Sequence, residues 1–285
     1  MAKGKSHIAV KMTEMNTKFR GLGAKFRSQL ISLQKNAGNE TALYQLRVCL
    51  KKTLSLTEFL VLAPIEGIDP ERHYKKFKIL QKKISKARDL QVQAKLLQKY
   101  RKPSGKAESI FFQWLNLNKA RKTKELQTLL KKEKAANYIA IYQEISKNID
   151  TESKEIKIFT KEYILDQVIS AEVYCQYMKR DFHKIRVIIK KLHFTMDLQG
   201  LLNESLLFKT KQVEKLLGNA HDLTLGRKTI KVFLKKHKIS QASEKAIKKM
   251  SALMLKKINS DLKKANVKAL SLLREIRVVN EKFRV

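Results

Sequence analysis

Proline and glycine are scarce in this chain, at 3 and 9 of 285 residues. With so few breakers, long uninterrupted helices are expected, and the strict apolar–polar alternation of strands is nearly absent. Cysteine occurs only at Cys49 and Cys175, both within helical apolar patterns. That argues against a disulfide framework or a Cys-x-x-Cys metal site, and it fits a reducing compartment. The longest apolar run, around Phe59 to Ile65, is far too short to span a bilayer. The opening Met-Ala-Lys-Gly-Lys-Ser-His has no apolar segment of signal-peptide type. A soluble cytoplasmic protein with no membrane insertion is the expectation.

Acidic residues are also few, 26 against 62 lysines and arginines, which leaves a formal net charge of +36. A field of that size attracts anions and speeds their encounter. Nucleic acid, acidic surfaces and phosphates are all compatible with it. Arginine supplies only 13 of the 62 basic residues. Lysine dominance favours point-charge contact with phosphate oxygens over bidentate reading of base edges. Hydrophobic residues make up 43 % of the chain, enough for a sizeable core.

Apolar residues recur at three- and four-residue spacing almost throughout, as in Leu43, Leu46, Leu50 and Leu54, so the chain is read as all-α. The first half, residues 1–150, is expected to hold helices over 8–35, 40–62, 70–100 and 106–146. Asp69-Pro70 supplies a cap and a first-turn proline for the third of these. Pro64, the Lys102-Pro103-Ser104-Gly105 run and Asn148 to Ser153 are expected breaks. The second half, residues 151–285, repeats the plan with helices over 154–178, 181–198, 204–236 and 241–279, the third bent near Gly218 and Gly226. Four helices per half point to two helical bundles produced by duplication.

The duplication carries a basic stripe. Tyr44-Gln-Leu-Arg47-Val-Cys-Leu-Lys51-Lys52 recurs as His183-Lys-Ile-Arg186-Val-Ile-Ile-Lys190-Lys191. Each copy is followed by a lysine-spaced helix closing on Ala-x-Asp-Leu: Lys76, Lys78 and Lys82 before Asp89, then Lys209, Lys211 and Lys215 before Asp222. The three lysines keep identical offsets from the aspartate. At 3.6 residues per turn, His183, Arg186, Lys190 and His193 share one helix face while Ile185, Ile188, Ile189 and Leu192 occupy another. Cations one turn apart repel by a few tenths of a kcal/mol per pair, a cost that a bound polyanion offsets. Asp89 and Asp222 suit a supporting role, each holding a basic side chain of its own half by a charge-assisted hydrogen bond. His183, and His221 beside Asp222, could donate to phosphate when protonated, so binding should strengthen as pH falls. Tyr44 replaces a histidine in the first copy and could donate without the charge.

Catalytic motifs are missing: no GxxxxGK[ST], GxGxxG or GxSxG occurs, and no acidic cluster suits a pair of divalent metals. No enzyme activity, cofactor or metal site is expected. The paired pattern His-x-x-Arg-[Val/Ile]-x-x-[Lys/Arg]-[Lys/Arg], each followed by a helix ending in Arg-Asp-Leu or His-Asp-Leu, resembles the conserved histidine α-helical domain, CHAD. The resemblance covers nearly the whole chain. It implies two four-helix bundles related by a pseudo-two-fold, a central basic cavity, binding of inorganic polyphosphate and, for some members, association with polyphosphate granules. Carried onto this sequence, the ligands are Arg47, Lys51, Lys76, Lys78 and Lys82 in one half and His183, Arg186, Lys190, Lys209, Lys211 and Lys215 in the other. Tyr44 and Leu54 depart from the family's basic positions, whereas His183 and His193 keep them. The lysine rows, with Arg47 and Arg186, are therefore expected to form the common floor of the site. The Glu-x-Glu-x-Lys strand of the triphosphate tunnel domain fused to some members is missing. Nucleic acid is the second reading. It lacks the interleaved aromatics or arginines that base stacking and readout use.

Overall fold

Side-chain caps start several of the helices. Asn39 accepts from the Ala42 backbone N–H to open α2 (Glu40–Leu62). Asp69 accepts from Arg72 N–H, with Pro70 in the first turn, to open α3 (Pro70–Gln98). Asn203 does the same through Leu206 N–H for α8 (Glu204–Lys236). Each cap satisfies a donor that the first helical turn leaves unpaired. The remaining helices are α1 (Lys3–Lys35), α4 (Lys106–Leu130), α5 (Ala135–Asn148), α6 (Lys154–Gln176), α7 (Met178–Leu198) and α9 (Gln241–Lys282). This computed structural model describes residues 3–63, 67–100, 106–148 and 154–282, and among them every regular element is an α-helix. The breaks expected at Pro64 and at 102–105, and the connector expected from Asn148 to Ser153, fall outside the described residues except for Asn148, the last residue of α5. Among the described residues no helix is long and apolar enough to cross a membrane.

Two helix expectations are corrected. The helix expected over 106–146 is two helices, α4 and α5, separated at residues 131–134. No breaker marks that point. The Gln34 side chain from α1 instead takes the freed carbonyls, donating to Leu130 O at 3.0 Å and Glu133 O at 2.6 Å. The Tyr138 hydroxyl donates to the Glu133 carboxylate at 2.7 Å. The turn lets α5 fold back onto α1. Conversely, α8 runs unbroken through Gly218 and Gly226. A Cβ at Gly226 would lie 2.6 Å from the Met254 methyl on α9, so this glycine permits close helix packing and marks no bend.

Two buried clusters form the core. One gathers α1, α2, α3 and α5 around Phe19, Phe26, Phe77 and Tyr142, with Leu126 and Leu130 of α4 and Tyr163 of α6 joining it. The other gathers α6 to α9, and it also takes Leu97 of α3 and Phe111 and Leu115 of α4. Phe111 meets Phe233 of α8 edge-on at 5.0 Å. The long helices α3 and α4 therefore reach past the first core into the second. Across the two halves, α2 packs against α7 and α3 against α8.

The α1–α5 contact depends on Gly23. A Cβ there would lie 2.9 Å from Tyr142 Cγ, and that ring is held by the Thr53 hydroxyl at 2.5 Å and by Phe19 and Phe26. Gly23→Val should lower stability by about 1–3 kcal/mol through overpacking. An unchanged denaturation midpoint would contradict this close approach.

Candidate polyanion site

The stripe helices bury one face and leave the other to cations. In α2 Arg47 and Lys51 flank the buried residues Leu43, Leu46, Leu50 and Leu54; in α7 Arg186 and Lys190 flank Ile185, Ile189 and Leu192. Because α2 and α7 pack together, the two cation rows converge. They line a cavity of about 600 Å³ with Arg47, Lys51 and Lys52 from α2, Arg186 and Lys190 from α7, Arg88 from α3 and Lys211 from α8. Three carboxylates, Asp197, Glu214 and Asp222, share that lining with these seven basic residues, as do Tyr44 and His193. A larger groove of about 840 Å³ between α1 and α5 has only Arg20, Arg27 and Lys147 around a largely apolar lining and no such convergence.

Asp89 accepts from Arg47 Nη1 at 2.5 Å. Arg186 has Asp222 as its foremost charged neighbour, followed by Arg47. The Nε atoms of Arg47 and Arg186 are both buried with no hydrogen-bond partner among the described residues. His193 Nδ1 lies 3.0 Å from Glu214 Oε1. Two further contacts occupy matching positions of the duplicated motif. The Arg88 guanidinium sits over the Tyr44 ring at 5.5 Å, and the His221 ring stacks on His183 at 4.9 Å.

Crowded cations at low hydration resist their charge. Burial, then Arg47, Lys190 and Arg186, press the Lys51 ammonium down to about 6. Burial and Arg186 act in the same direction on Lys190. Burial lowers His221 to about 3, with Arg186 and His183 adding to it, and the same kind of environment lowers His183. Both imidazoles are therefore neutral near pH 7 in the free site. Burial pushes the Asp222 carboxyl up against the pull of Arg186 and Arg47. Burial also works to raise Glu214, but the His193 hydrogen bond, with His193, Lys190 and Arg186, leaves it below the ordinary carboxylate range.

Of the residues singled out in the sequence, the cavity gathers Tyr44, Arg47, Lys51, Arg186, Lys190, His193, Lys211 and Asp222, with Asp89 behind Arg47. It does not gather the lysine rows as a floor. Lys76 turns to α5, donating to Asn137 O at 3.3 Å, and Lys209 turns to Glu275 on α9. Both lie 13 residues before their aspartate, about 220° around a helix of 3.6 residues per turn, so they leave from its opposite face. Lys78 sits over Tyr74 at 5.6 Å, and Lys82 and Lys215 are exposed outside the lining. His183 and His221 stack together beside the cavity and do not line it.

The sequence reading missed Lys52, Arg88, Asp197 and Glu214 as cavity residues. Lys52 stands within the stripe and Arg88 within the Ala-x-Asp-Leu motif, so both had a signal. Glu214 had one in its three-residue spacing from Lys211. No group of His, Cys, Asp and Glu that could hold a metal ion occurs among the described residues. A family model described as CHAD domain matches residues 24–231. No curated protein matches the chain.

Proposed function

The chain belongs to the CHAD domain family, and from that premise we propose that it binds inorganic polyphosphate in the cavity between α2 and α7 without altering it chemically. The observation that carries this reading is the convergence of seven lysine and arginine side chains on one cavity, with the Nε donors of both stripe arginines unpartnered among the described residues. Such a cluster repels itself while empty, and a chain of phosphates would supply both the charge and the acceptors. A cavity of about 600 Å³ suits a single phosphate strand better than a duplex. The major groove of B-DNA alone is about 12 Å wide.

In this reading the two halves are related by a pseudo-two-fold axis between α2 and α7, and the cavity is the basic centre they share. Two reciprocal ion pairs support it. Lys52 reaches Asp197 at 3.5 Å, and Lys191 reaches Glu58 at 2.6 Å. In both pairs the lysine follows its own stripe arginine by five residues and the carboxylate follows the other arginine by eleven. The matched contacts of Tyr44 with Arg88 and of His183 with His221 support the same relation. A cytoplasmic protein at polyphosphate granules is the setting that goes with this activity.

Competition tests the proposal. Long-chain polyphosphate, labelled, should stay bound at physiological salt in the presence of excess single- or double-stranded DNA. Its affinity should fall steeply with added salt, as counterion release requires. Displacement by DNA at equal phosphate concentration would exclude selective polyphosphate binding and favour nucleic acid.

A further inference from the structure

A second groove, of about 300 Å³, opens beside the cavity between α1, α2 and α7. The two spaces share Val48, Lys52, Phe194 and Asp197 as a common wall. The groove adds two lysines from α1, Lys18 and Lys25, that the cavity does not use. Asp197 stands at the threshold. Its Oδ2 accepts from Lys52 at 3.5 Å, its backbone carbonyl accepts from Lys18 at 2.6 Å, and its Oδ1 lies 3.9 Å from the same ammonium. One carboxylate thus stands between two lysines, in a groove that Lys25 also lines, offering the charge and lone pairs that a phosphate oxygen would offer. The Lys52 and Asp197 side chains are 36 % and 41 % exposed, and ion pairs that wet are weak enough to exchange for another anion.

We propose that this groove is a second phosphate-binding lobe, taken by the part of a polyphosphate chain too long for the cavity, and that Asp197 closes it until the chain displaces the carboxylate. The inference rests on the polyphosphate reading of the cavity. The lobe is one-sided. At the matching position in the other half, Glu58 holds Lys191, but Phe59, Phe159 and Tyr163 pack beside it with ring centroids 5.3 to 6.1 Å apart. The overhanging chain therefore leaves over α1.

Chain length separates this lobe from the cavity. The full-length protein is titrated with tripolyphosphate and with long-chain polyphosphate, as wild type, as Asp197→Asn and as Lys18→Gln/Lys25→Gln. Asparagine keeps the backbone carbonyl that Lys18 caps, and glutamine keeps a donor, so both variants should melt like wild type. Asp197→Asn should tighten long-chain binding by about three- to tenfold, and the double lysine variant should weaken it by about tenfold or more. The salt slope of the lysine variant should fall by about 1.4, corresponding to two lost phosphate contacts. In the lysine variant tripolyphosphate affinity should stay within about twofold, because Lys18 and Lys25 stand outside the cavity lining, whereas Asp197→Asn, a change in the shared wall, should tighten binding of both ligands. Wild type that binds both ligands, with a lysine variant that shifts both by the same factor, overturns the lobe alone. Wild type that binds neither ligand overturns the polyphosphate reading, and the lobe with it.

Discussion

Replacing Arg186 and Lys190 together by glutamine is expected to lower polyphosphate affinity by about 10²–10⁴-fold while the protein stays folded. Each hydrogen bond to a charged group contributes about 1.5–3 kcal/mol when both partners are present, and two are lost here. The salt slope should flatten by about 1.4, because two fewer phosphates are neutralised. Glutamine is preferred to glutamate because Asp222 and Glu214 already stand beside these positions. Reversed charges would place extra carboxylates against them and confuse lost binding with lost folding. The free variant should melt no lower than wild type, since burial opposes the charge of both side chains. Affinity that survives with circular dichroism unchanged would reduce the stripe to a solvated helix face.

Lys51 carries the second large effect, and it works through protons. Arg47 on its own helix and Lys190 and Arg186 on α7 oppose its charge, while Asp89 of α3 and Asp222 of α8 favour it. Burial together with these cations brings the free amine down to about 6 from an ordinary 10.5. A polyphosphate strand in the cavity would restore the ammonium, so above about pH 6 binding takes up a proton. Affinity should then fall by about tenfold per pH unit toward the ordinary lysine range, the linkage expected for one proton. Stability of the free protein should move the opposite way. Between about 6 and 10.5 the unfolded chain holds this proton and the folded site does not, so stability rises with pH across that window. Lys51→Met should flatten both profiles. Calorimetric titration near pH 8, in buffers of different ionisation heat, should register about one proton taken up per site. A wild-type affinity independent of pH, with no uptake, would rule out a neutral lysine in the free cavity.

The stripe was legible because it depends on local geometry. Arg47 with Lys51, and Arg186 with Lys190, fall one turn apart beside a leucine or isoleucine face, and helical periodicity needs no tertiary information. The displacement of Lys76 and Lys209 was equally legible, since 13 residues from the aspartate places each on the far side of its helix. Identical offsets in two copies suggest a shared destination, but they establish only a shared direction. Glu214 and Asp197 entered the cavity through packing. Which face of α8 fronts α7, and where α7 ends against Lys18 of α1, depend on contacts between residues far apart in sequence. The break between α4 and α5 was hidden for a similar reason, because Gln34, about a hundred residues away, accommodates it.

Composition and periodicity alone determined an all-helical, strongly basic chain with a duplicated cation row, because breakers, net charge and helix faces are local or summed properties. Tertiary structure decided which of those cations share a cavity, which carboxylates stand among them, and that one end opens onto α1 while aromatic rings pack at the other. Those outcomes turn on which apolar faces bury one another, and the polar side chains are carried to wherever that burial places them.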